Sequence, residues 1–407
     1  MKWPDKPGNG WMTLFTACAV LVLARGAELR GHSAEPPAET KSRPKQFAIV
    51  YNHGYAGDHL PTDPAQFEAL VKSAKDAHFN VILCQYEPWR AEICKKHDMK
   101  IFVDLLVPAQ HIYKTPEAAK KLCESLKDND TIYGYHLWSD NITDATAAGR
   151  TRDVKNVHEW DPNHPAYIGT AGMTRVARVE GMDLFGYYDF HWKRGGHWAH
   201  LQKAMSVAQG KQIGFLRYDD ATSGKIGAGN PNRVGYTYAT SVPFGLKGFI
   251  YHYTGGITDK KTFALDALGE DLKKVNARFA AVGDELMKIG VPTAVYSTPI
   301  TKSEKNDVVP AAVPGGLSAI PKDNWFQITA GEVLVGTFTD AEKRDVLVLA
   351  CHNPYASQEV KLAIGAKTMG AEYFDRAVKK WTPLRADAQT VTFKVEDHGV
   401  ELVRVTR

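Results

Sequence analysis

Long hydrophobic runs are scarce in this 407-residue chain. The apolar stretch near the N-terminus, Thr13 to Ala24 (TLFTACAVLVLA), falls short of the roughly 20 residues that a bilayer-spanning helix needs. It follows a Lys-bearing segment and precedes small residues, which is the layout of an export signal. Residues 1–34 are read as a signal peptide and 35–45 (EPPAETKSRPK) as a disordered linker. Cys18 lies inside the apolar run and not after it, which argues against a lipid anchor. The expected location is secreted or periplasmic, with no stable membrane insertion after signal cleavage.

Cysteine is also sparse, and no spacing among Cys84, Cys94, Cys123 and Cys351 matches a zinc signature. Cys84 sits in an apolar run and reads as a small buried hydrophobe, while a Cys94–Cys123 disulfide between neighbouring helices is open after export. An excess of one charge is missing too. Lys and Arg number 50 against 46 Asp and Glu, a net charge of +4, and they are scattered, so nucleic-acid binding has no support. A glycine-rich dinucleotide loop is absent: the first apolar run is followed by NHGYAGD, which lacks the spacing that cradles a pyrophosphate. No cofactor is implied.

What is present is a rhythm. QFAIVYN, FNVILCQ, KIFVDLL, IYGYHLW, AYIGTA, DLFGYYDF, QIGFLRY and KGFIYHY alternate with helical stretches, the one after AYIGTA being short. Each run is nearly continuous in apolar residues, as expected of parallel strands buried on both faces. Eight such units predict an α/β fold, a (β/α)8 TIM barrel over 46–290 closed by a long helix near Thr262 to Ile289. From Thr293 the runs shorten and alternate (EVLVGTF, DVLVLACHN, EVKLAI, TVTFKV, VELVRV), which predicts a small antiparallel β-sandwich domain over 291–407.

In such a barrel the reactive groups gather at the C-terminal strand ends. Those ends deliver Asn52 and His53; Gln85, Tyr86, Glu87 and Trp89; Asp104; His136, Trp138, Asp140 and Asn141; Tyr188, Asp189, His191 and Trp192; Arg217, Tyr218, Asp219 and Asp220; Tyr251, His252 and Tyr253. Aromatic faces with carboxylates and amides suit sugar rings, which stack on the former and hydrogen-bond the latter. The expected substrate-binding set is His53, Tyr86, Trp89, Asp104, His136, Trp138, Asn141, Tyr188, His191, Trp192, Arg217, Tyr251 and His252.

The layout resembles the glycoside-hydrolase-like (β/α)8 barrels that carry a C-terminal β-sandwich. Gly134-Tyr135-His136-Leu137-Trp138-Ser139-Asp140-Asn141 stands where many of them read Gly-Tyr-x-Leu-x-Asp-Glu-Pro, whose Glu is the general acid/base. NPNRVGYTYATSVPFGLKGFIYHY and EVLVGTFTDAEKRDVLVLACHN are similar to their last barrel passage and their sandwich. The resemblance implies an enzyme that cleaves glycosidic bonds of a poly- or oligosaccharide, and the N-terminal segment implies that it is exported. Asp140 would serve as acid, with Asp219, Asp220 or Glu87 as its partner. Asp in place of Glu favours the wider carboxylate gap of an inverting mechanism, roughly 6.5–9.5 Å, over the ~5–5.5 Å of a retaining one.

Plainer roles compete with these. Asp140 could cap the next helix, Asp219 and Asp220 could sit in a turn, Asp104 could be a structural hydrogen-bond partner, Glu87 could favour a helix start, and Arg217 could pair with an acid. A silent sugar-binding barrel is the alternative function. A metal-dependent isomerase or hydrolase using Asp189, His191, His197 and His200 is a further one, although their spacing matches no zinc motif.

Overall fold

The computed structural model describes residues 44, 46–52, 60–105, 115–137, 142–170, 173–188, 196–219, 230–251, 257–299, 317–365, 369–384 and 390–407. They belong to one unit, Lys41–Arg407. The chain alternates β1 (Ala48–Tyr51), α1 (Pro64–Asp76), β2 (Val81–Cys84), α2 (Pro88–Lys96), β3 (Lys100–Asp104), α3 (Pro116–Leu126), β4 (Ile132–His136) and α4 (Asp144–Trp160). It continues with β5 (Ala166–Thr170), α5 (Met173–Val176), β6 (Leu184–Tyr188), α6 (Gly196–Lys211), β7 (Gly214–Asp219), α7 (Pro231–Ser241), β8 (Leu246–Tyr251) and α8 (Ala267–Lys288). The eight strands close in sequence order into a parallel barrel, the fold expected of the eight apolar runs.

Local chemistry sets the helix starts. Proline occupies the first turn of α1, α2, α3 and α7, where its missing N–H costs nothing. Asp63 accepts from the Gln66 amide at 2.9 Å and Thr115 from the Ala118 amide at 3.2 Å, each satisfying an orphan donor of the first turn.

The strands are apolar throughout because each faces two cores. Ala48, Val50, Val81, Leu83, Phe102, Tyr133, Tyr167, Leu184, Leu216, Tyr218 and Ile250 fill the lumen, while Ile49, Tyr51, Ile82, Cys84 and Val103 pack under the helices. The aromatic rings of Phe102, Tyr133, Tyr167 and Tyr218 crowd the lumen and demand space elsewhere. Gly186 provides it, since a Cβ there would overlap the Tyr167 hydroxyl. Gly186→Ala is therefore expected to cost about 1–3 kcal/mol through overpacking. Urea unfolding checks this, and adding Tyr167→Phe, which removes the clashing oxygen, should restore part of the loss.

Beyond α8 the described strands are antiparallel: β9 (Ala294–Ser297), β10 (Phe326–Ala330), β11 (Val333–Thr339), β12 (Asp345–Cys351), β13 (Gln358–Ile364), β14 (Gly370–Asp375), β15 (Lys380–Pro383), β16 (Thr390–Val395) and β17 (Val400–Thr406). Among the described residues they form a three-stranded sheet, β10-β13-β16, and a six-stranded sheet, β15-β14-β17-β12-β11-β9. Val335, Leu347, Leu349, Val360, Leu362 and Val403 fill the sandwich between them. The other face of the larger sheet, with Leu334, Phe338, Val346, Val348 and Leu402, joins the barrel's outer core. Burial on both faces explains why β11 and β12 read as continuous apolar runs.

His352 stands at this junction, fully buried, its ring 5.7 Å from that of Trp198 on α6. Its Nε2 lies 3.2 Å from Ser297 Oγ and its Nδ1 3.4 Å from the Tyr236 hydroxyl. Burial, aided by His197, holds its pKa down at about 3. The unfolded imidazole takes up its proton near pH 6.5, whereas the folded one stays neutral, so below that pH the unfolded state binds more protons and stability falls. Replacing His352 by Gln removes this titration. The stability lost between pH 7 and pH 5 should then be smaller in the variant by about 2 kcal/mol, read from urea midpoints at the two pH values.

The cysteines answer a question that the sequence left open. Cys84, Cys94, Cys123 and Cys351 are all free and buried, so the Cys94–Cys123 bridge does not form. Both sulfurs serve as apolar packing groups beneath α2 and α3, and burial pushes the Cys123 thiol up to about 12.

Candidate functional site at the C-terminal end of the barrel

Side chains alternate along a strand, so only every second residue at a strand end faces the lumen. On β3 the inward pair is Phe102 and Asp104. On β4 the phase changes partway along: Ile101 pairs with Ile132 but Phe102 with Gly134, which gives β4 one extra residue, Tyr133. A bulge of this kind re-aims the side chains beyond it. Tyr133 belongs to the lumen, Tyr135 to the helix side, and His136 turns inward opposite Asp104.

Three groups on three strands then join. Asp104 Oδ1 lies 3.2 Å from His136 Nδ1, and His136 Nε2 lies 2.8 Å from the hydroxyl of Tyr218 on β7. The Asp104 and His136 side chains are fully buried. One neutral tautomer satisfies the chain: Nδ1–H donates to the carboxylate and Nε2 accepts from the phenol. Tyr167 stacks on the imidazole at 5.1 Å and 27°, with Phe102 5.7 Å from it on another side. Burial and the neighbouring Tyr218 raise the Tyr167 pKa well above the usual phenol value, so it stays neutral. Because β4 and β7 are not neighbours in the barrel, the His136–Tyr218 bond crosses the lumen. The result is a rigid polar floor whose members fix one another's orientation. Sequence reasoning named Asp104 and His136 for the substrate set; it passed over Tyr167, although period-2 alternation within AYIGT marks it as inward-facing.

Other expected site residues lie elsewhere. Arg217 points into the helix layer, where its Nη1 donates to His197 Nδ1 at 3.0 Å and to Ser241 Oγ at 3.0 Å, and its guanidinium sits 5.4 Å from the Tyr187 ring. Tyr251 faces the same layer and its hydroxyl donates to Asn276 Oδ1 at 2.7 Å. Trp89 packs edge-to-face on Phe67 at 5.3 Å between α1 and α2, and Tyr86 packs against the outer core. Arg217 and Tyr251 are corrected from cleft to helix layer, since they sit out of phase with the lumen, whereas Tyr86 and Trp89 are half-buried beside it. Glu87 is the N-cap residue of α2 without a side-chain cap bond, and it is half-buried.

The cap of α4 is Thr143, which forms a capping box with Thr146, so the N-cap role considered for Asp140 belongs to Thr143. Asp140 itself lies outside the described residues, as do His53, Trp138, Asn141, Asp189, His191, Trp192, Asp220 and His252, and the side chains of Tyr188 and Asp219. His197 is buried and lies 3.1 Å from Thr240 Oγ1. Among the described residues no group of three or more His, Cys, Asp or Glu could hold a metal ion.

No protein-family model matches the chain, and comparison with curated proteins gives no match. Solved structures do resemble it. A glycoside hydrolase superposes with a TM-score of 0.52 at 12% identity, covering 88% of this chain and 92% of that one. A family 5 glycoside hydrolase from Bacteroides vulgatus ATCC 8482 gives 0.51 at 13% identity, with 88% and 89% covered. At these identities the likeness is one of fold.

Proposed function

We propose that the chain is an exported glycoside hydrolase that cleaves a glycosidic bond of a poly- or oligosaccharide between carboxylates at the ends of β4 and β7. The observation that carries this reading is the His136–Tyr218 hydrogen bond, 2.8 Å long, across the lumen. It ties together the two strands whose next acidic residues are Asp140, four positions beyond His136, and Asp219 and Asp220, immediately beyond Tyr218. In the glycoside hydrolases that the sequence resembles, these are the strand ends that carry the acid/base and the nucleophile or base. The shared fold with solved glycoside hydrolases supports the same reading.

Asp140 would protonate the leaving oxygen, and Asp219 or Asp220 would activate water or attack from the opposite side. The test is release of reducing ends from a panel of polysaccharides and oligosaccharides by the purified protein. Sugar binding without product release would favour the silent-barrel alternative, which Ser139-Asp140-Asn141 in place of Asp-Glu-Pro keeps in view.

A further inference from the structure

Two consecutive residues hold β7 from opposite faces of the barrel wall. On the lumen side the Tyr218 hydroxyl lies 2.8 Å from His136 Nε2. On the helix side the fully buried Arg217 reaches α6 and α7, its Nη1 lying 3.0 Å from His197 Nδ1 and 3.0 Å from Ser241 Oγ. The buried His197 continues the network, with its Nε2 3.1 Å from Thr240 Oγ1.

The chemistry of the groups fixes the hydrogens in this network. A guanidinium only donates, so His197 Nδ1 accepts and carries no proton. The one ring proton sits on Nε2 and is given to Thr240 Oγ1, whose own proton goes to the Tyr236 carbonyl at 2.7 Å. Ser241 Oγ accepts from Arg217 and donates to the Thr237 carbonyl at 2.6 Å. The network therefore needs a neutral imidazole. A second ring proton would set N–H against N–H and a cation against a cation.

The other titratable groups around this pair, among the described residues, come from four elements. Tyr236 on α7 lies 6.3 Å from the imidazole, ring to ring, and burial keeps its phenol neutral. Tyr187 on β6 lies 5.4 Å from the guanidinium, and His200 on α6 lies 6.3 Å from the Tyr187 ring. His352, just past β12, is close enough for the two imidazoles to oppose each other's charge.

We propose that neutral His197 is a positioning residue that locks the end of β7 through Arg217, and that its protonation in acid releases that end and with it the site at the C-terminal end of the barrel. The tie to activity rests on the glycoside reading above; the lock itself does not. A released imidazole takes up its proton near pH 6.5, whereas the locked one stays neutral, so the released state binds more protons below that pH and acid favours it. Between pH 7 and pH 5 the released population should rise by about 20-fold.

Hydrogen exchange tests the lock in the full chain without any ligand, read by mass spectrometry on peptides covering 214–219 and corrected for the intrinsic pH dependence of exchange. In the wild type, protection of β7 should fall by about 20-fold from pH 7 to pH 5, with a smaller change in peptides covering 81–84 on β2. Equal protection of β7 at the two pH values would overturn the proposal without recourse to a variant. His197→Gln keeps an acceptor for Arg217 and a donor for Thr240 but takes up no proton, so its β7 protection should match the wild type at pH 7 and persist at pH 5. His197→Leu, which makes neither bond, should already lack that protection at pH 7. A glutamine variant that loses protection in acid as the wild type does, or that matches the leucine variant at pH 7, would also overturn the lock. On a substrate that is cleaved, kcat should fall less from pH 7 to pH 5 in His197→Gln than in the wild type, with KM little changed. Equal falls would overturn the tie to the site. If no polysaccharide or oligosaccharide is cleaved at any pH, the glycoside reading fails and that tie with it, while the exchange result still decides the lock.

Discussion

Asp140→Asn is expected to lower turnover on a natural substrate by about 10²–10⁴-fold, the span of general acid catalysis, while substrate binding changes little. Asparagine keeps the size and much of the hydrogen bonding of aspartate but has no proton to give to the departing oxygen. The loss should be largest with poor leaving groups. An aryl glycoside whose phenolate leaves unaided should retain far more of its rate, and that difference separates a missing acid from a damaged site. The next helix, α4, is capped by Thr143 and Thr146, so the substitution removes no cap and the fold should be unaffected. Undiminished turnover would remove Asp140 from the mechanism.

His136→Leu should produce the largest loss of stability. The imidazole bridges Asp104 and Tyr218 in a region with no solvent contact, and leucine can neither donate to the carboxylate nor accept from the phenol. Taking the imidazole from a buried carboxylate and a buried phenol together is expected to cost about 3–5 kcal/mol, and more than the apolar contacts that leucine retains with Phe102 and Tyr167 can offset. His136→Gln, which keeps a donor and an acceptor, should lose distinctly less. Equilibrium urea unfolding measures both. A leucine variant as stable as the wild type would mean that the three groups are merely adjacent.

The barrel was legible in the sequence because parallel strands buried on both faces leave unbroken apolar runs, and because prolines and capping residues such as Asp63 and Thr115 mark the helix starts. Strands β11, β12, β13, β16 and β17 were legible for a related reason, since their alternate or continuous apolar residues fill the sandwich or the junction with the barrel. Strands β14 and β15 were not, because most of their residues are only half-buried and carry no clear period.

The site was harder to read than the fold. Treating every residue at a strand end as part of the mouth brought in Arg217 and Tyr251, although the lumen-facing Leu216, Tyr218 and Ile250 fix the opposite phase for them. For β4 the alternation misleads in the other direction. The extra residue at Tyr133 reverses the phase partway along, and only the register against β3 reveals that His136 faces inward.

The most direct measurement is proton NMR of the anomeric region from the moment the protein is mixed with an oligosaccharide on which it releases reducing ends, or with each member of the panel in turn. The expected result is a new reducing-end signal that appears first as a single anomer, of configuration opposite to the bond cleaved, and then mutarotates, as the longer reach between two aspartates favours. No new anomeric signal from any substrate, at protein concentrations that bind the sugar, would contradict hydrolysis at the ends of β4 and β7.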